Sequence, residues 1–232
     1  MQINGFNKLT LLDFPKHLAA TIFVGGCNLR CPFCHNASLV LDPTTQPIIP
    51  VEEVLKVLTK RIGILEGVCI TGGEPTLYSD LPELIRQIKS LGLAVKIDTN
   101  GTNPEMIKSL VDHHLIDYVA MDIKNSKEKY GLTSGIADIN LDAINESITY
   151  LLTEPVDYEF RTTIVKEYHT AEDMRSIGGW ITGAKSYFLQ SYKDSGDIIS
   201  GEELNALSKE TMKDFVALLT PYINQVSLRG VD

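Results

Sequence analysis

No apolar run in this chain approaches the roughly 20 residues that a bilayer-spanning helix needs. The opening segment, MQINGFNKLTLLDFPKHLAA, lacks a basic region followed by a continuous apolar stretch, so no secretion signal is read and a cytoplasmic location is expected. Basic charge is also scarce. Lys and Arg total 21 against 30 Asp and Glu, a net charge of −9, which excludes a broad non-specific nucleic-acid surface. Low-complexity tracts, internal repeats and obvious linkers are missing, which argues against a solenoid or a string of small modules. Cysteine is rare as well. There are four, and three of them fall within residues 27–34. A disulfide scaffold would scatter its cysteines through a short secreted chain; thiols clustered in one stretch point to metal or redox chemistry.

What the chain does have is alternation. Short β-branched runs at about Ala19–Val24, Val68–Thr71, Ala94–Asp98, Tyr118–Ile123, Tyr158–Val165 and Ser186–Leu189 read as strands. Between them apolar residues recur at helical spacing over Val51–Leu65, Leu84–Leu91, Pro104–His114, Ile139–Leu152, Ala171–Ile181 and Glu202–Leu219. Pro104 suits a first helical turn with Asn103 as N-cap, and Gly92 suits a helix C-terminus. Six successive β–α units imply an α/β fold with parallel strands and right-handed crossovers. A full eight-stranded barrel takes about 250 residues, so a partial (β/α)6 TIM-like barrel is expected, with a doubly wound open sheet as the alternative. One domain over residues 1–232 is expected, its core about 19–192, with a helix and a short strand in 201–229. Asp42–Pro50 (DPTTQPIIP) reads as a rim loop.

The cysteines stand as Cys27-Asn-Leu-Arg-Cys31-Pro-Phe-Cys34, directly after the first expected strand and Gly25-Gly26. Soft thiolates suit iron, and close spacing lets one loop hold three corners of a cubane. A purely electron-carrying [4Fe–4S] centre normally takes four cysteines; three leave one iron open for a substrate or cofactor. A Cys₃His zinc site using His35 is the competing arrangement, although zinc ligands normally come as two separated pairs. Cys69, mid-strand between Val68 and Ile70, reads as a buried small hydrophobe.

Polar residues and glycines gather where the later strands end. Thr71-Gly72-Gly73-Glu74-Pro75 follows the second, and its two glycines let backbone approach a ligand closely. Asp98-Thr99-Asn100-Gly101 ends the third and Met121-Asp122-Ile123-Lys124 the fourth, where alternation points Asp122 and Lys124 the same way. Arg161 lies on the fifth, and Gln190-Ser191-Tyr192-Lys193 closes the sixth. Each has an ordinary turn or surface reading by itself. Together they lie at the C-terminal ends of parallel strands, the face on which βα loops converge.

The cysteine spacing with Phe33 before the third thiol resembles the signature of the radical S-adenosylmethionine superfamily, and GGEP at 72–75 resembles its second motif. Gly25-Gly26-Cys27-Asn28, Cys31-Pro32-Phe33-Cys34-His35-Asn36, Asp98–Gly101 and Met121–Lys124 look most like activating enzymes of glycyl-radical proteins. Asn4-Gly5-Phe6, Leu12-Asp13-Phe14-Pro15 and Leu228-Arg229-Gly230 are similar to one subgroup, which activates anaerobic ribonucleoside-triphosphate reductase.

That resemblance implies a [4Fe–4S] cluster on Cys27, Cys31 and Cys34, with S-adenosylmethionine on the fourth iron. Gly72, Gly73 and Glu74 would hold its methionine end, and Phe33 with nearby backbone would face the adenine. Asp98, Asn100, Asp122, Lys124, Arg161 and Gln190 would line the cofactor site, with a monovalent cation near Asp98 and Asp122. Flavodoxin or ferredoxin would supply the electron. The resulting 5′-deoxyadenosyl radical would take hydrogen from a glycine of a partner protein. Tyr192 departs from the related pyruvate formate-lyase activating enzyme, which has a histidine near that point. Two alternatives are a radical enzyme acting on a small molecule, of the 7-carboxy-7-deazaguanine synthase kind, and a non-enzymatic metal or electron-transfer protein.

Overall fold

Strands that are buried on both faces read as nearly unbroken apolar runs, and the helices between them need only one apolar stripe. The computed structural model, which describes residues 1–231, is built on that division. Two compact units emerge. Met1–Asn28, Ser38–Ala120 and Pro155–Asp157 form the first; Leu29–Ala37, Met121–Glu154 and the described residues from Tyr158 onward form the second.

In the first unit β1 (Ile3–Thr10) runs antiparallel to β2 (Ala19–Val24), pairing Ile3 with Val24 and Thr10 with Ala19. Helix α1 (Ala37–Leu41), whose first residue belongs to the second unit, and α2 (Val51–Thr59) lead to β3 (Gly67–Gly72). Then come α3 (Leu81–Ser90), β4 (Ala94–Thr99), α4 (Pro104–Asp112) and β5 (Tyr118–Asp122), which the two units divide between them. The pairing β2–β3–β4 is parallel, with Val24 beside Gly72 and Cys69 beside Lys96. Val54 and Leu58 of α2, Leu84, Ile85 and Ile88 of α3, and Ile107 and Leu110 of α4 form the buried stripes. Asn103 caps α4 by accepting from the Met106 N–H, and Gly92 takes φ +79° just past α3, as their positions in the sequence suggested.

The second unit continues with α5 (Tyr130–Ser134), α6 (Leu141–Leu152), β6 (Asp157–Ile164), α7 (Ala171–Trp180), β7 (Tyr187–Ser191), α8 (Lys209–Leu219) and β8 (Val226–Arg229). Strands β6, β7 and β8 pair in parallel, with Ile164 beside Ser191 and Gln190 beside Arg229. A capping box between Thr170 and Asp173 starts α7. Arg229 reaches from β8 to β6, where it grips the buried Glu159 carboxylate through both oxygens at 2.7 and 2.9 Å and stacks 3.5 Å over Phe188 of β7.

All six expected strands are present within one or two residues, and the fold is α/β with parallel strands. The helix expected to reach Leu65 stops at Thr59, because Gly63 takes φ +85° and Ile62 bridges to Leu65. The helix expected from Glu202 starts only at Lys209, capped by Ser208. Strand β1 and the short helices α1 and α5 were not read from the sequence. Among the described residues, no helix is long and apolar enough to cross a membrane.

Candidate functional site

Parallel strands end on one edge, so the loops that follow β2, β3 and β4 become neighbours. In the first unit that closeness is extreme. Gly73 N–H donates to Val24 O at 2.8 Å, and Glu74 N–H donates to Gly26 O at 2.8 Å. A Cβ on Gly73 would sit 1.8 Å from Gly26 O, and one on Gly72, already at φ +110°, would sit 2.5 Å from Val24 O. Gly73 of GGEP is thus laid directly on Gly26, which leads into Cys27, and Gly72 on the Val24 backbone at the end of β2. Only backbone fits there.

The Glu74 carboxyl is 1% exposed and receives four donors of its own chain: Thr76 N–H at 3.1 Å, Thr76 Oγ1 at 2.6 Å, Thr99 Oγ1 at 2.8 Å and Asn100 N–H at 2.6 Å. Burial raises its pKa, opposed by those hydrogen bonds. Glu74 therefore locks the ends of β3 and β4 together, and its contribution to a ligand comes through the backbone around it. Asn100 carries the connection back to the cysteine loop. Its Nδ2 donates to Cys27 Sγ at 3.7 Å and to Asn28 Oδ1 at 2.9 Å. Lys96 of β4 is also buried, and its ammonium contacts the Asp98 carboxylate.

Cys31 and Cys34 belong to the second unit. Cys34 N–H closes a turn onto Cys31 O at 3.0 Å. Arg30 N–H donates to Ser134 O at 2.8 Å, and Gly135 at φ +70° follows α5 so closely that a Cβ would lie 2.1 Å from Arg30 O. Phe33 is buried against the rings of Tyr168 and His169, with centroids 5.9 and 6.2 Å away. His35 stacks on Tyr192, 5.7 Å away, beyond the end of β7. The loop from Cys31 to His35 is thus seated on residues that follow β6 and β7.

At the end of β5, Asp122 accepts from Arg161 Nε at 2.6 Å and from Lys124 Nζ at 3.0 Å. Burial alone would raise Asp122, but the two cations hold it far below the usual carboxylate range. Burial would lower Lys124, yet Asp122 and then Cys31 keep it fully protonated. Lys124 thus stands as a cation beside Cys31, and a cation there favours an anionic group bound next to it. Lys124 is held in place by His169, whose Nε2 lies 3.0 Å from Lys124 O, and by Asn125 Nδ2 donating to Tyr168 O at 3.1 Å. Gln190 lies on β7, half-buried, beside Thr163 and Arg229.

Two observations fit a soft, ligand-bearing centre. Cys27 and Cys34 are half-buried, so their thiols stand within reach of a ligand. The Tyr192 hydroxyl is buried with no hydrogen-bond partner, an orphan that a ligand can satisfy. Among the described residues, no three His, Cys, Asp or Glu side chains are already gathered around a metal position, so the ligand assignment rests on spacing and donor chemistry. Lys96, His169 and Tyr192 were not among the expected site residues. The one signal for Lys96 was a charged residue two positions before Asp98 in an otherwise apolar strand.

The sequence matches the radical SAM superfamily over residues 21–166. It is 32% identical, over 239 aligned positions covering 99% of this chain and 96% of the other, to a Methanocaldococcus jannaschii protein provisionally named a glycyl-radical enzyme activating enzyme. Among solved structures, Streptococcus suis SuiB bound to its precursor peptide SuiA superposes with a TM-score of 0.71 at 16% identity, over 93% of this chain and 49% of SuiB, so the chain spans about half of that protein. A domain of a pyruvate-formate lyase-activating enzyme from Bacteroides vulgatus gives 0.57 at 16% identity, over 71% of this chain and 99% of that domain. The family match spans more than half of the sequence and agrees with the cysteine spacing: the chain belongs to the radical SAM superfamily, enzymes whose cofactors are a [4Fe–4S] cluster and S-adenosylmethionine.

Proposed function

We propose that this enzyme activates a glycyl-radical protein, and that its partner is anaerobic ribonucleoside-triphosphate reductase. The observation that carries the site assignment is the glycine-on-glycine contact, which fuses GGEP to the entry of the cysteine loop through two backbone hydrogen bonds. The partner class follows from the full-length M. jannaschii relative and its printed name. The narrower partner follows from the resemblance of Asn4-Gly5-Phe6 and Leu228-Arg229-Gly230 to that subgroup.

Cys27, Cys31 and Cys34 would hold three irons, leaving the fourth for S-adenosylmethionine. When bound, cluster and cofactor supply one-electron reductive cleavage of the sulfonium C5′–S bond. The chain's own residues bind and orient. Backbone at Gly72, Gly73 and Glu74 offers groups to the ammonium end. The Lys124 ammonium, which stands beside Cys31, would attract the carboxylate. The resemblance also assigns Asp98, Asn100 and Gln190 to the cofactor, and it seats a monovalent cation at Asp98 and Asp122. Because the Phe33 ring is packed inward, the backbone beside it is what would meet the adenine. Clustered thiols and an oxidisable cluster suit a reducing cytoplasm, with flavodoxin or ferredoxin as the electron donor.

The test is anaerobic reconstitution with iron and sulfide, dithionite reduction, and assay for 5′-deoxyadenosine. Production is expected, and its loss in Cys31→Ala with loss of cluster absorbance. Mixing with the reductase should give a glycyl-radical EPR signal. Cofactor cleavage triggered by a nucleotide metabolite alone, with no protein radical, would overturn the partner and assign the small-molecule chemistry.

A further inference from the structure

Lys96 is the buried charge for which the site chemistry has no use. It stands in the middle of β4, 2% exposed, with its ammonium on the Asp98 carboxylate and 3.6 Å from Cys69 Sγ. Cys69 in turn lies 3.7 Å from Asp98 Oδ1. The register explains the grouping. Cys69 is the direct parallel neighbour of Lys96, and Asp98, two residues on, shares its face. Cys69 is therefore not surrounded by hydrocarbon alone, as its sequence neighbours suggested.

We infer that Lys96 is a built-in counter-cation for Asp98, which takes the place of an inorganic monovalent cation at the cofactor site. The inference rests on the reading that Asp98 lines that site. A carboxylate taken out of water needs a positive partner, or it takes up a proton or an ion from solution. Asp98 has its partner by covalent design, two residues away on the same strand. A sodium or potassium ion brought to that carboxylate would meet the ammonium at close range and be repelled. Asp122 is served in the same manner within its own unit, by Lys124 and Arg161. Each aspartate at which an ion is expected is thus already neutralised by the chain. Cofactor affinity then follows total ionic strength and is indifferent to which monovalent cation supplies it.

The reconstituted, oxidised holoenzyme tests this by calorimetric titration with S-adenosylmethionine in potassium, sodium and tetramethylammonium chloride at equal ionic strength. Wild-type dissociation constants should agree within about twofold across the three salts. In Lys96→Gln, which keeps a polar side chain but removes the charge, binding should weaken by about tenfold in tetramethylammonium and recover in potassium. A wild-type enzyme that loses about fivefold or more in affinity when potassium is withdrawn overturns the inference. Since Lys96→Gln removes a buried counter-charge and can unfold the chain, the wild-type salt series decides alone if that variant is lost. No binding in any salt would show a different failure, that of the cofactor reading itself, and the inference would fall with it.

Discussion

Asn100 does three jobs with one side chain and one N–H. Its backbone holds Glu74, its amide nitrogen donates to Cys27 Sγ, and its amide oxygen accepts from Thr102 N–H at 3.0 Å. A donor aimed at a cluster sulfur stabilises the more negative, reduced state, and such bonds are one of the protein's levers on cluster potential. Asn100→Ala keeps the backbone bond to Glu74 and removes the one to sulfur. Taking that bond as about 1 kcal/mol, the midpoint potential should move negative by on the order of 40 mV for one electron, read by an EPR-monitored redox titration. An unchanged potential would mean that the amide serves only the loop.

At the scale of elements, two contacts hold neighbouring strands and loops together. The first is Gly73 on Gly26. A methyl at Gly73 has to displace backbone, so Gly73→Ala should cost about 1–3 kcal/mol or more and abolish cofactor binding. Gly179, inside α7 with no atom within 4 Å of its would-be Cβ, is the control. Gly179→Ala should be neutral or stabilising by about 0.5–1 kcal/mol in denaturant melts. The second contact ties β8 to β6. Glu159 is 1% exposed, and both of its oxygens are taken by Arg229. Arg229→Ala removes the cation that both oxygens of that buried carboxylate share, which should cost about 3–5 kcal/mol in the same measurement. A loss below 1 kcal/mol, about what an exposed pair is worth, would show that β8 is held by packing alone.

The stability of the whole molecule should carry the mark of one histidine. His169 is 3% exposed; Val165 N–H reaches its Nδ1 at 3.1 Å, while Nε2 faces Lys124 O. The Val165 N–H bond to Nδ1 is one that a doubly protonated ring could not accept. Burial lowers its pKa, and hydrogen bonds to Lys124 and Val165 oppose that only in part. Because the folded pKa lies below the unfolded value of about 6.5, the unfolded chain takes up the proton first as pH falls. The stabilisation is complete above that value and is lost as pH drops through the folded pKa. Urea midpoints measured from pH 7.5 to 5 should fall toward acid, with a shallower slope in His169→Gln. An identical slope in that variant would assign the acid sensitivity to the carboxylates instead.

The sequence alone carried the alternation of strands and helices, since periods of two and 3.6 in apolar residues are local properties. It also carried the three-cysteine loop and its place after β2, because a cluster loop needs its thiols close together along the chain. The weakly patterned β1 escaped because its central residues are exposed and its partner lies across a turn. The roles of individual polar groups were decided only in three dimensions. Glu74 looked like a free carboxylate beside two glycines; β4 turns it inward and satisfies it with Thr99 and Asn100. Lys96 was not singled out in the sequence, and the β3–β4 register buries it on Asp98 and Cys69. Periodicity says which side of a strand a residue faces. Whether a charge on that side meets water, a partner or a ligand depends on residues tens of positions away, and only packing settles that.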